Sequence, residues 1–413
     1  MGLFGLGRLR GFSAMDVQSP HRIPLALTHP TVLGLLCLQV CGAALDVGIA
    51  LFALFMADRG ASARELGWVL GSGWAIAVGA SLLGGQAADR WGPRRTILAG
   101  TASVMLGLLG EALSRTWFPA GASYLLVQAG QAVLYPAVLR GIGAATREQA
   151  GSVLGFLHTC YSALGIPGAL LAGWVAERWG WGVLYEAKAA LYLGACAVLF
   201  VLLPKGNMAP RSARSEETRL WWPLLRHVAL RYTCAAVILV TLCGYASSFY
   251  PYDLRARFGL GPAVLARFAA IYNAVWLLSN WPAGIASDRW GRRPVAVLGY
   301  GLMALAWAFF PWVSRVASLY ALYALYSLGN SLGYYATLVA MEAVPRPEQG
   351  RAVGLFNACI QGGAALGESA GGALWGIVGA TWSYLLAALG ALAGALLLVR
   401  VRPPSSPARP SQT

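Results

Sequence analysis

The chain has 413 residues, 58% of them hydrophobic and only 11% charged, with 31 Lys and Arg against 16 Asp and Glu. So few charges cannot coat a soluble surface of this size, which excludes a soluble enzyme, a collagen-like chain and a disordered chain. The apolar stretches are continuous rather than alternating, which excludes an outer-membrane barrel as well.

Twelve stretches are long and apolar enough to be predicted as helices crossing about 30 Å of hydrocarbon. In chain order they are 31–57, 66–88, 96–114, 120–142, 152–175, 183–203, 230–251, 264–286, 294–313, 318–341, 352–379 and 382–399. The expected protein is an all-α polytopic membrane protein. Residues 1–30 form a cytoplasmic N-terminal segment, 31–203 and 230–399 two six-helix halves, 204–229 a cytoplasmic linker and 400–413 a cytoplasmic tail. With both termini inside, 22 Lys and Arg fall on the inner side and eight on the outer, with Lys188 inside a span. That asymmetry orients the chain by the positive-inside rule, in an inner (plasma) membrane. The basic surplus then faces anionic lipid, and no nucleic-acid partner is needed.

The N-terminus, MGLFGLGRLRGF, has no signal-peptide cleavage pattern, and Leu6 stands where N-myristoylation needs Ser or Thr. The seven cysteines all lie in apolar runs and read as small core residues. The four histidines have no metal-ligand spacing, so neither a metal nor a cofactor is expected.

The chain repeats itself. GGQAADRWGPRR (84–95) follows the second span and AGIASDRWGRRP (283–294) the eighth, placing Asp89 and Asp288 199 positions apart. TREQAGSVLGF (146–156) and RPEQGRAVGLF (346–356) echo each other at an offset of 200. Two parallel halves with a site between them at mid-membrane form a known transporter layout. In the first loop Gly85, Asp89, Arg90, Gly92, Arg94 and Arg95 stand out; in the second, Gly284, Asp288, Arg289, Gly291, Arg292 and Arg293. Gly85 and Gly284 are expected to allow close backbone approach at a helix end. Asp89 and Asp288 can cap a neighbouring helix or pair across the gap between halves, favouring one of two packed arrangements.

These loops resemble the G-x-x-x-D-R-x-G-R-R signature of the major facilitator superfamily, with Pro93 as a departure in the first copy. The resemblance implies the two-half, twelve-helix fold of that superfamily and a gating role for both loops. Gly165-Ile166-Pro167-Gly168 and Gly367-Glu368-Ser369-Ala370-Gly371-Gly372 partly resemble its helix-five antiporter signature, which implies export. The match is incomplete: the first copy has an extra residue before proline, and the second has Glu368 where proline would stand. The arginine that many members carry midway along helix four is absent; Arg140 lies near the inner end instead.

Ionisable residues inside a bilayer are functional candidates. Asp46 and Glu368 lie near the middle of the first and eleventh spans, each on a stripe of small and polar residues, so each half supplies one midplane acid. An acid in hydrocarbon is costlier charged than neutral, so both are candidate proton carriers. Gln39 shares the stripe of Asp46; Asn357 and Gln361 share that of Glu368. Gln128, Gln131 and Tyr135, then Tyr245, then Asn273, Trp276 and Asn280, and finally Tyr323, Asn330 and Tyr334 mark further polar stripes expected to line a substrate cavity. Glu111, Glu186 and Lys188 are placed near the outer ends of the third and sixth spans, as an interfacial ion pair or snorkelling side chains. No base is expected at the midplane, which disfavours an anionic substrate.

No P-loop, no HExxH and no His/Cys metal spacing occurs, so ATP-driven transport is unsupported and no enzyme is expected. The expected activity is proton-coupled efflux of a lipophilic neutral or cationic small molecule by a monomer. The alternative is proton-coupled transport of a sugar or other neutral polar solute. Its partners are a small-molecule substrate, protons and membrane lipid.

Overall fold

A computed structural model describes residues 29–146, 150–204, 222–345 and 348–401, apart from the side chains of Leu82, Asp89, 143–146 and 150–152. Glu148, most of the 204–229 linker and the terminal segments lie outside the described residues. Thirteen α-helices follow in order: α1 Pro30–Ala44, α2 Gly48–Asp58, α3 Ala63–Trp91, α4 Pro93–Leu113, α5 Trp117–Thr146, α6 Ala150–Leu202, α7 Val228–Cys243, α8 Ala246–Phe258, α9 Pro262–Trp290, α10 Arg292–Phe309, α11 Val316–Gly333, α12 Ala336–Glu342 and α13 Gln349–Val399.

Among the described residues, eight helices are long and apolar enough to cross a membrane, or nine if α1 and α2, bent by 50°, form one span. Two of them are double. Helix α6 breaks at Gly180 (φ 85°) and α13 at Gly379 (φ 80°), each leaving two arms. The expected count of twelve takes the arms separately and adds the segment containing α11. A helix satisfies its backbone groups inside lipid within one segment, and the described residues contain little else.

Local chemistry sets the helix ends. Ser62 and Glu65 form a reciprocal capping box at the start of α3. Pro93 and Pro262 open α4 and α9, where a missing N–H costs nothing. Gly92 and Gly291 turn the chain between helices with φ of 82° and 89°, a region that side chains disfavour.

The repeat is structural. At an offset of 199, α3 matches α9 end for end, Gly92 matches Gly291 and Gly180 matches Gly379. The break after α1 at Leu45 matches the break after α7 at Gly244. Gly168 lies against the carbonyl of Ala43, and Gly367 against that of Leu242, again 199 apart. The first arm of α13 packs on α3, with Gly372 against Gly67. Symmetrically, the first arm of α6 packs on α9, with Gly173 against Ala266. The small residues expected to allow close packing therefore serve both within and between halves.

Gly168→Val is expected to lower folded yield, because a Cβ there meets backbone and overpacking costs about 1–3 kcal/mol. Gly155→Ala, at a position with open space around it, is the control and should be silent. Melting of the detergent-solubilised variants checks both.

Candidate functional site

A cavity of about 230 Å³ runs along the first half between α1, α5 and both arms of α6. It is lined by Gln39, Gln131, Tyr135 and His158 towards the end that carries the duplicated loops, and reaches Gly42, Tyr161 and Tyr192. Asp46 sits one helical turn beyond Gly42, where the chain leaves helix between α1 and α2. Its carboxylate accepts a hydrogen bond from Asn273 Nδ2 at 3.0 Å, and Asn273 lies against Gly165. Asp46 and Asn273 therefore join the two halves.

Glu368 is 6% exposed and lies where α13 meets α3. Ser248 Oγ donates to its Oε1 at 2.6 Å, while Oε2 has no partner among the described residues. Tyr326 and Tyr124 lie within electrostatic range. An ionised carboxylate there would have one hydroxyl to stabilise it, far too little to offset its desolvation.

The other candidate residues divide. Gln39, Gln131 and Tyr135 line the cavity. Tyr135 and Tyr334 are exposed and electrostatically close, so α5 and α11 face each other. Trp276 packs edge-on to Tyr334. Tyr272 donates to Asn330 at 3.2 Å. Asn280 and Asn357 are exposed and Gln361 half-buried. Gln128 lies against Gly73 of α3 and is absent from the cavity lining.

Tyr323 and Tyr245 depart from the expectation. Tyr323 is packed between Tyr250 (5.1 Å between ring centres) and Phe268 (5.2 Å) in an aromatic core. Tyr245 is buried against Gly371. Helical periodicity put each on a polar stripe of its own span, but rings from α8 and α9 cover Tyr323 and the backbone of α13 covers Tyr245.

The duplicated loops also hold a correction. Gly85 has open space around it, and Gly284 makes only ordinary contact with the Tyr335 hydroxyl. Close approach falls instead on Gly84, against the backbone of Val133. The arginines act in register: Arg94 donates to the Phe200 carbonyl and Arg293 to the Val399 carbonyl, both pairs 199 apart. Each ties its loop to the last turn of its half, where carbonyls lack helical partners. Arg292 pairs with Glu342 at 2.8 Å. Arg90, Arg95, Asp288 and Arg289 are exposed. The backbone of Asp89 lies in the last turn of α3.

At the opposite end the halves are tied together. Asp58 accepts from Trp181 Nε1 at 2.7 Å and from Arg255. Tyr252 donates to the Ala61 carbonyl at 3.2 Å. Glu177 accepts from the Ala263 backbone N–H at 2.9 Å, capping the start of α9 from the other half. Sequence reading missed Asp58 and Glu177, because loop carboxylates are ordinary until their partners are known.

The outer-end trio also changes. Glu111 is 2% exposed rather than snorkelling, and Lys188 lies in electrostatic range of both Glu111 and Asp46. Glu186 is exposed. Among the described residues no group of His, Cys, Asp and Glu could hold a metal ion.

The helices long and apolar enough to cross a membrane define a multi-pass membrane protein. The family model of the Major Facilitator Superfamily matches residues 36–252 and 232–413, and the chain belongs to that superfamily. It is 24% identical over 307 residues to the Fujikurins efflux protein of Gibberella fujikuroi, covering 71% of this chain and 64% of that protein. It is 22% identical over 393 residues to an MFS-type transporter of Aspergillus fumigatus, covering 88% of this chain and 89% of that one. Its fold matches that of a nucleoside transporter with a TM-score of 0.71 at 14% identity, over 90% of this chain and 98% of that one.

Proposed function

We propose that the protein exports a lipophilic neutral or cationic small molecule in exchange for protons, by alternating access between its two halves. The observation that carries the proton coupling is Glu368, a buried carboxyl at a contact between halves with one oxygen unpartnered among the described residues. Asp46, bonded across the halves to Asn273, is the second carrier. Substrate charge follows from balance: among the described residues, apart from the paired Asp253 and Arg257, Asp46, Glu111 and Glu368 face one interior base, Lys188. A buried anion would add to that excess and cost several kcal/mol. The cavity beside Gln39, Gln131, Tyr135 and Tyr161 offers amides and aromatic faces, which suit such a substrate. Export is supported by the efflux name of the Gibberella relative.

The domain boundaries expected from sequence, 31–203 and 230–399, are the units that rock. The ties around Asp58 and Glu177 close one end while Tyr135 and Tyr334 stay exposed, so this arrangement is open towards the duplicated loops. By the positive-inside rule that end is cytoplasmic, the termini lie there too, and the protein works as a monomer in the plasma membrane.

Raised tolerance to lipophilic cations in a drug-sensitive host tests the substrate class. Saturable sugar flux with no change in tolerance would contradict it. The gating role of the first loop predicts that Asp89→Asn slows turnover with folding and substrate affinity retained; unchanged turnover in a well-folded variant would refute it.

A further inference from the structure

Three charged groups in the first half meet in one corner. Tyr192 lies against Gly42, so one turn along the antiparallel helices Lys188 faces Asp46. Gly182 lies against the Ala112 carbonyl, which brings Glu111 to the same stretch of the second α6 arm. Lys188 is in electrostatic range of both carboxylates yet forms no ion pair within 4.0 Å with either, and Glu111 makes no side-chain hydrogen bond among the described residues. Tyr124 and Tyr185 face Glu111; Tyr161, Tyr192 and Asn273 face Asp46; Arg59 lies beyond, near Tyr185.

The second half shows that the fold does not require these charges. At the offset of 199, Asp46, Glu111 and Lys188 become Tyr245, Phe310 and Ala387. There the corner is an aromatic core: Phe310 packs on Tyr384 at 4.9 Å and on Trp307 at 5.2 Å, and Ala387 is buried. Well-packed apolar groups commonly stabilise such a corner at least as well as buried charges do. All three charges are replaced together, which marks them as one unit.

We propose that Lys188 is the shared counter-ion of Asp46 and Glu111, its ammonium swinging towards whichever carboxylate is ionised so that Asp46 can gain or lose a proton without stranding a charge. Glu111 then holds the ammonium while Asp46 is neutral. Both are positioning residues for the coupling acid, and the inference rests on the proton-coupled reading of Asp46.

The test is pH-driven transport and gradient-free exchange in proteoliposomes, with melting of the same preparations. Lys188→Ala leaves two carboxylates without a cation, and the pH of half-maximal driven transport should rise by about one unit. Glu111→Gln commits Lys188 to Asp46 and should lower it by a similar amount. Glu111→Phe with Lys188→Ala copies two of the three second-half residues; it should melt no lower than wild type, and its half-maximal pH should rise as in Lys188→Ala. Unshifted profiles in folded single variants would overturn the proposal, as would a double variant that melts far lower with its profile intact. If wild-type transport ignores a pH gradient, the proton-coupled reading itself fails, a different result from unshifted variants of a coupled protein.

Discussion

Vesicles containing Glu368→Gln are expected to exchange substrate nearly as fast as wild type but never to concentrate it. Exchange needs binding and rocking alone, whereas concentration also needs a proton to leave. One pH unit is worth about 1.4 kcal/mol per proton, so a one-for-one exchanger accumulates substrate about tenfold per unit of gradient. Glutamine keeps the volume and an acceptor for the Ser248 hydroxyl but cannot release a proton. Accumulation should therefore fall to onefold while exchange persists. Asp46→Asn is expected to do the same if Asp46 carries the proton. Its asparagine can still accept from Asn273, so the tie between halves survives. Full pH-driven accumulation in both variants would move the coupling site elsewhere, with Glu111 next.

Loss of the far-end ties should shift the balance between the two open states. Asp58→Ala with Glu177→Ala removes the Arg255 and Trp181 bonds and the cap on α9. Arg255 is 47% exposed and Asp58 32%, so each ion pair or cap contributes only about 0.2–1 kcal/mol. The two that cross the halves together supply about 0.4–2 kcal/mol, a shift of roughly two- to thirtyfold in population. Spin labels at the exposed positions Arg64 and Arg267, in a background without native cysteines, should gain a long-distance component in the double variant. An unchanged distance distribution would show that the ties do not hold that end shut.

Hydropathy made the helical class legible, and the duplicated loops around Asp89 and Asp288 made the offset of 199 legible. The breaks at Leu45–Val47 and Gly244–Tyr245 were not, because apolar residues run straight through them and a bend leaves no hydropathy signal. Lys188 was misplaced for a related reason. Its distance from a helix end can be counted along the chain, but the helix beside it cannot. The tyrosine stripe of α11 shows the same limit: spacing gives a face, and only packing says that Tyr250 and Phe268 cover Tyr323 while Tyr334 stays open. Asp46 and Glu368 were found because an acid in an apolar run stands out without any knowledge of neighbours.

The most direct measurement is the accumulation of a quaternary ammonium dye in proteoliposomes with an acidic interior and a clamped membrane potential. The fixed charge prevents trapping by protonation, and protein-free vesicles give the background. Proton-coupled export predicts accumulation on the acidic side that grows about tenfold per pH unit per proton and collapses with a protonophore. Equal uptake with and without the gradient, in protein that still exchanges substrate, would contradict it.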